Sequence, residues 1–165
     1  MVVTLAVVVL VLASLGQFFF WGIRFRRFAN YQLPELPVHP IDDLPPVSVI
    51  LCAHNEAENL RRNLPFFLEQ DYPKFEVLVV NDNSSDKTEE VVLEFQKKYS
   101  ILRLLSMEEV TPPGKKAALS YGIRQSSFEL LFLSDTDCKP TSKQWLKIMQ
   151  RSFLENKTIV LGYGP

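Results

Sequence analysis

The chain opens on a run from Val2 to Ile23, VVTLAVVVLVLASLGQFFFWGI, that holds no charged residue and is long enough to cross a bilayer as a helix. Phe18, Phe19, Phe20 and Trp21 gather at its C-terminal end, where an aromatic belt would sit, and Arg24, Arg26 and Arg27 follow at once. A cleavable signal peptide has the opposite arrangement, with its positive charges ahead of a shorter apolar core. The pattern predicts a transmembrane anchor with a basic flank over residues 1–27. The positive-inside rule then puts the N-terminus outside and the rest in the cytoplasm, so a single-pass protein of a membrane such as the bacterial inner membrane is expected. Residues 28–46 carry prolines at 34, 37, 40, 45 and 46, which exclude a helix or a sheet interior and predict an extended tether.

Beyond Pro46 short apolar runs alternate with stretches of helical spacing. VSVILCA (47–53), FEVLVV (75–80), ILRLLS (101–106) and ELLFLS (129–134) are continuous and mostly apolar, as strands buried on both faces are. Between them, residues 56–70 space Leu and Phe as a helix does, with Pro65 expected to kink or divide it. A second helix is expected from a Ser84 or Ser85 cap to about Tyr99, a third over residues 115–127, and a fourth over residues 142–156. TIVLGYG (158–164) reads as a last strand. This alternation predicts an α/β domain over residues 47–165, with a mainly parallel sheet and helices on both faces.

Composition changes this picture little. At 165 residues the chain has room for one domain with a real core, and a net charge of −1 gives no sign of a nucleic-acid partner. Cys52 and Cys138 have neither zinc-like spacing nor a disulfide framework and fit reduced thiols.

Three predicted strands end in polar clusters: AHNE (53–56), NDNSSD (81–86) and SDTDC (134–138). In open α/β sheets, ligands bind beyond the carboxyl ends of the strands, at a switch in strand order. Asp135 and Asp137 are two residues apart and share a face if the strand stays extended. Hard oxygen donors without histidine or thiol partners suit Mg²⁺ or Mn²⁺, which take one or two carboxylates plus substrate phosphates. A solvated turn would use the same residues. Asp82 suits a base or ribose, or the cap of the helix after it. Lys115, at a helix start, suits phosphate together with backbone amides, or an ordinary surface position. His54 and Asn55 suit the wall of a base pocket, and His54 equally a hydrogen-bonded loop position.

VSVILCAHNEAENL, LEQDYPKFEVLVVNDNSSDKT, GKKAALSYGI and LLFLSDTDCKP, in that order, resemble the nucleotide-binding half of a family 2 glycosyltransferase of GT-A fold. The resemblance covers residues 47–165. It implies transfer of a sugar from a nucleoside diphosphate donor, often UDP-linked. The implied acceptor is a glycan or a lipid-linked molecule, and the implied cofactor Mg²⁺ or Mn²⁺ at the D-x-D. Carried over by position, Ala53, His54, Asn55, Glu56 and Asp82 surround the base and ribose, with Asp82 the uracil partner. Lys115 falls near the nucleotide, Asp135 faces the ribose side and also serves the metal, and Asp137 ligates it. Cys52 stands where proline is common, His54 where tyrosine is, and Asn81 and Asn83 replace the Asp and Gly of DDGSSD. Asn tolerates the left-handed conformation that Gly supplies, so the turn is expected to survive.

No acid in the sequence matches the family's catalytic base, which leaves the catalytic residues unassigned and expected beyond Pro165. The expectation is the donor-binding piece of a longer membrane enzyme, inactive in sugar transfer by itself. The alternative is a membrane-tethered nucleotide-binding module or relic. A haloacid-type phosphatase also places D-x-D after a strand but has Thr where Lys139 stands here. A nucleotidyltransferase expects a glycine-rich loop after the first strand, and CAHNEAEN contains none.

Overall fold

A computed structural model describes residues 2–30, 44–107 and 114–151 of the chain. They divide between two compact units, one within Met1–Leu36 and the other within Pro37–Pro165.

The described part of the first unit is helix α1 (Val2–Ala29), with its apolar side chains exposed. By length and composition it is able to cross a membrane. It continues two residues past the expected boundary at Arg27, since no helix breaker occurs before Pro34. The Arg24 guanidinium lies 4.9 Å from the Phe20 ring centroid, one turn back. Residues 31–43 of the expected tether lie outside the described residues.

The second unit runs β1 (Val47–Ala53), α2 (Ala57–Leu68), β2 (Phe75–Asn81), α3 (Thr88–Gln96), β3 (Leu102–Ser106), α4 (Lys115–Gln125), β4 (Leu130–Asp135) and α5 (Trp145–Arg151). The four strands form a parallel sheet in the order β3-β2-β1-β4. β1 is central and pairs Val47 with Phe75 on one side and with Leu130 on the other. Its alternate side chains feed two cores. Val47, Val49 and Leu51 join Leu60, Leu64, Phe67, Val91 and Leu146 from α2, α3 and α5. Ile50 faces the other way and packs with Leu78, Val80 and Ala118, under α4. Burial on both faces explains why these strands read as unbroken apolar runs.

Two expectations are corrected. Pro65 does not divide helix α2 but sits in its last turn; the absent N–H forfeits one bond, while the Pro65 carbonyl still accepts from Glu69 N–H at 2.9 Å. Helix α3 starts at Thr88, not after Ser84 or Ser85. The acceptor at its start is Asp86, whose Oδ1 takes the Thr88 N–H at 2.9 Å and the Thr88 hydroxyl at 2.5 Å. The part of the fourth predicted helix beyond Arg151 and the strand expected over residues 158–164 lie outside the described residues.

At the amino end of the sheet, buried Glu76 collects donors from three segments. Ser48 Oγ donates at 2.7 Å, Ser127 N–H at 2.6 Å, Ser127 Oγ at 3.0 Å and Arg103 at 3.0 Å. Burial pushes the Glu76 carboxyl upward, but these four bonds outweigh it and hold the group below the usual carboxylate range. The cluster anchors the α4–β4 connection and so fixes where β4 delivers its acids.

Candidate functional site

Strand order reverses between β1 and β4, and a cavity of about 250 Å³ opens there at the carboxyl ends of the strands. Its walls include Ala53, His54 and Glu56 after β1, Asp82 after β2, Lys115 at the start of α4, and Asp135 and Asp137 at and after the end of β4. Seven of the eight residues singled out in the sequence meet there. Asn55 is the exception, with its side chain turned to the neighbouring loop.

That loop pairing shapes the wall. Asn55 adopts φ 57° and its Oδ1 accepts from Ser85 N–H at 2.8 Å, Ser85 Oγ at 3.2 Å and Asp86 N–H at 3.3 Å. Ser84 Oγ returns a bond to Asn55 N–H at 3.0 Å. Asp86 Oδ2 takes Ala57 N–H at 3.2 Å and Thr88 Oγ1 takes Glu56 N–H at 2.8 Å, so the starts of α2 and α3 satisfy each other's backbone donors. Asn83 has φ 50°, the left-handed turn expected of it. The buried Asn81 Oδ1 accepts from Ser84 N–H at 3.1 Å, a task a carboxylate would also perform.

His54 Nδ1 lies 2.6 Å from the Asp82 carbonyl, which only accepts, so Nδ1 carries the proton. His54 Nε2 is left as the acceptor for Asn55 Nδ2 at 3.3 Å. Asp82 is 5% exposed; its N–H bonds the Ala53 carbonyl at 2.8 Å and its Oδ2 accepts from Gly114 N–H at 2.8 Å. Its Oδ1 is buried and has no hydrogen-bond partner among the described residues. A buried acceptor left open at a cavity wall is suited to a ligand N–H.

Lys115 Nζ lies 2.6 Å from Asp135 Oδ1. The hydrogen bond and charge of Asp135 push the lysine above its ordinary range, so it is a cation throughout the neutral region. Burial pushes the Cys52 thiol up, against the pull of Lys115, so this sulfur stays protonated beside the acids. Cys138 is free and exposed. Among the described residues no three His, Cys, Asp or Glu side chains gather to hold a metal by themselves. Two carboxylates on one cavity wall fit a hard cation that completes its shell with water and phosphate oxygens. The donor set therefore fits Mg²⁺ or Mn²⁺ in the presence of a diphosphate.

Sequence reasoning missed Thr136 and Ala118 on the wall and Asn63 behind it. Asn63 occupies a core-facing position of α2, where its spacing signals only an amphipathic helix.

The chain is similar to glycosyltransferase AglE of Haloferax volcanii, with 43% identity over 106 residues, 63% of this chain and 34% of that protein. It is also 30% identical to a poly-beta-1,6-N-acetyl-D-glucosamine synthase of Staphylococcus epidermidis over 74% of its own length and 28% of the relative's. The chain thus spans about a third or less of the curated relatives it matches. Among solved structures it resembles a mannosyltransferase, PcManGT from Pyrobaculum calidifontis, in complex with GDP-Man and Mn²⁺. The TM-score is 0.71 at 28% identity, covering 87% of this chain and 42% of that one. Residues 1–349 of TarS from S. aureus, in complex with UDP-GlcNAc, match with a TM-score of 0.54 at 30% identity, over 62% of this chain and 29% of that one. The sheet order and these neighbours establish a GT-A fold. The family model described as Glycosyl transferase family 2 matches residues 48–164, and the chain belongs to that family.

Proposed function

We propose that the cavity binds the nucleoside diphosphate of a sugar donor, with UDP as its nucleotide, for transfer to a glycan or lipid-linked acceptor. The observation that carries this is the open Oδ1 of Asp82, an acceptor matched to the imide N–H of uracil. Ala53, His54 and Glu56 line the base and ribose side, with Asn55 holding the loop behind them. Asp135 faces the ribose and the metal, and Asp137 ligates the metal. A bound Mg²⁺ or Mn²⁺ supplies Lewis-acid stabilisation of the departing diphosphate. Lys115 adds a fixed positive charge beside that diphosphate and orients it. No cavity residue is assigned the acceptor's proton, so the chain alone is expected to bind donor without transferring sugar. Helix α1 serves as a single membrane anchor, with the sheet domain on the cytoplasmic side where Arg24, Arg26 and Arg27 belong.

Titration of the full chain in detergent with UDP and Mn²⁺ tests the reading. Saturable binding is expected, weakened at least about tenfold by Asp82→Ala, which removes a hydrogen bond to a charged acceptor. Unchanged affinity in Asp82→Ala sinks it. A guanine nucleotide is the second reading, favoured by the GDP-Man complex of the Pyrobaculum neighbour, because guanine N1–H meets the same oxygen. Tighter binding of GDP than UDP in the same titration decides for it.

A further inference from the structure

A buried amide stands directly behind the two acids. Asn63, on α2 and 5% exposed, donates from Nδ2 to the carbonyl of Thr136 at 2.9 Å. Thr136 is the residue between Asp135 and Asp137 and is itself 4% exposed. The neighbours of Asn63 on the same helical face, Leu60, Leu64, Phe67 and Leu68, are all core. A polar group in such a stripe carries a desolvation cost that its hydrogen bond must offset, and an apolar residue would pack there without it.

The bond acts on the peptide plane that joins Thr136 to Asp137. Asp135 is already fixed, because it ends β4 and pairs in the ladder with Cys52. The chain then turns, with Cys138 N–H on the Asp135 carbonyl at 3.1 Å. Within that turn the Thr136–Asp137 peptide has no ladder partner, and its rotation would swing the Cα–Cβ bond of Asp137 off the cavity wall. Anchoring the Thr136 carbonyl to a rigid helix removes that freedom. We propose that Asn63 is a positioning residue that holds Asp137 at the cavity for a divalent cation. This rests on the reading of Asp137 as a metal ligand.

The test compares the full chain in detergent with Asn63→Leu, which keeps the branched skeleton and removes the donor, and Asn63→Ser, a smaller side chain that cannot overpack the site. Mn²⁺ affinity is measured by electron paramagnetic resonance at saturating UDP, UDP affinity is measured in EDTA, and thermal unfolding is followed alongside. Mn²⁺ affinity is expected to fall about tenfold in Asn63→Leu and less in Asn63→Ser, as for supporting groups behind metal ligands. Metal-free UDP affinity is expected to stay within about twofold, since this bond touches only the metal side. Unchanged Mn²⁺ affinity in a folded variant overturns the proposal. So does a parallel fall in Mn²⁺ and metal-free UDP affinity, which marks a merely structural role. If the unsubstituted chain binds UDP without binding Mn²⁺ beside it, the metal reading itself fails and this inference falls with it.

Discussion

Lys115 Nζ and Asp135 Oδ1 are 2.6 Å apart, and both line the same cavity. The ammonium occupies the carboxylate that a divalent cation would use, and a diphosphate entering the cavity offers the lysine another anionic partner. Lys115→Met is therefore expected to have opposite effects on two ligands. Mn²⁺ binding without nucleotide strengthens, by only a few-fold, because both side chains are well exposed and their pairing is screened. UDP binding weakens. Paired Mn²⁺ and UDP titrations of both proteins measure this, and a loss of affinity for both ligands would contradict it.

Glu76 makes stability depend on acid. Its folded carboxyl lies below the usual range, so its contribution is present above the unfolded value and disappears as pH falls through the folded one. Glu76→Ala should cost about 2 kcal/mol at pH 7, since Ser48 Oγ and the Ser127 N–H lose a charged acceptor while Arg103 keeps the Gln125 carbonyl at 3.1 Å. The melting temperatures of the two proteins should converge as pH falls below about 4. A gap that persists undiminished at pH 3 would show that packing, not charge, carries the effect.

Two asparagines in left-handed conformation separate backbone from side-chain contributions. At Asn83, φ 50°, glycine should be accepted without loss, whereas alanine should cost about 1 kcal/mol in strain. At Asn55, φ 57°, glycine keeps the backbone but loses the acceptor for Ser85 and Asp86, and about 1 kcal/mol of stability is expected to go with it. Urea unfolding of the three variants beside the unsubstituted chain provides the comparison. Equal losses for Asn55→Gly and Asn83→Gly would dismiss the loop bonds as a source of stability.

Gly122 lets α4 lie close on the sheet. A Cβ there would come within 2.7 Å of Ile50 Cγ2 and 2.9 Å of Val80 Cγ2, both on β-branched side chains that cannot swing away. Gly122→Ala gains about 1 kcal/mol in helix propensity and loses about 1–3 kcal/mol to overpacking. A lowered melting temperature is expected. A raised one would mean that the helix shifts outward without cost.

The strands and their order along the chain were legible because burial on both faces leaves an uninterrupted apolar run, as in β1 and β2. The acids of the cavity were legible for a related reason: Asp82 and Asp135 come at or just after the ends of those runs, where a parallel sheet exposes its carboxyl edge. The start of α3 was not, because Ser84, Ser85 and Asp86 are all good caps and only the tertiary partner Asn55 claims the two serines. Pro65 does not split the helix because the buried face formed by Leu60, Leu64, Phe67 and Leu68 holds both sides of it to the core. Asn63 gave no signal, since a hydrogen bond to a carbonyl 73 residues away has no local pattern.

That distance has a kinetic side. The bonds that shape the cavity join residues far apart in the chain: Asn63 to Thr136 across 73 positions, Asp82 to Gly114 across 32, and Ser48 to Phe128 across 80 at the opposite end of the same strands. Closing such loops comes late in folding, after the local helices have formed. On the proposed function, donor affinity would be a property of the finished sheet, arising on a ribosome only once β4 has emerged and docked beside β1. A nascent or partly unfolded chain would hold the same residues without the cavity that brings them together.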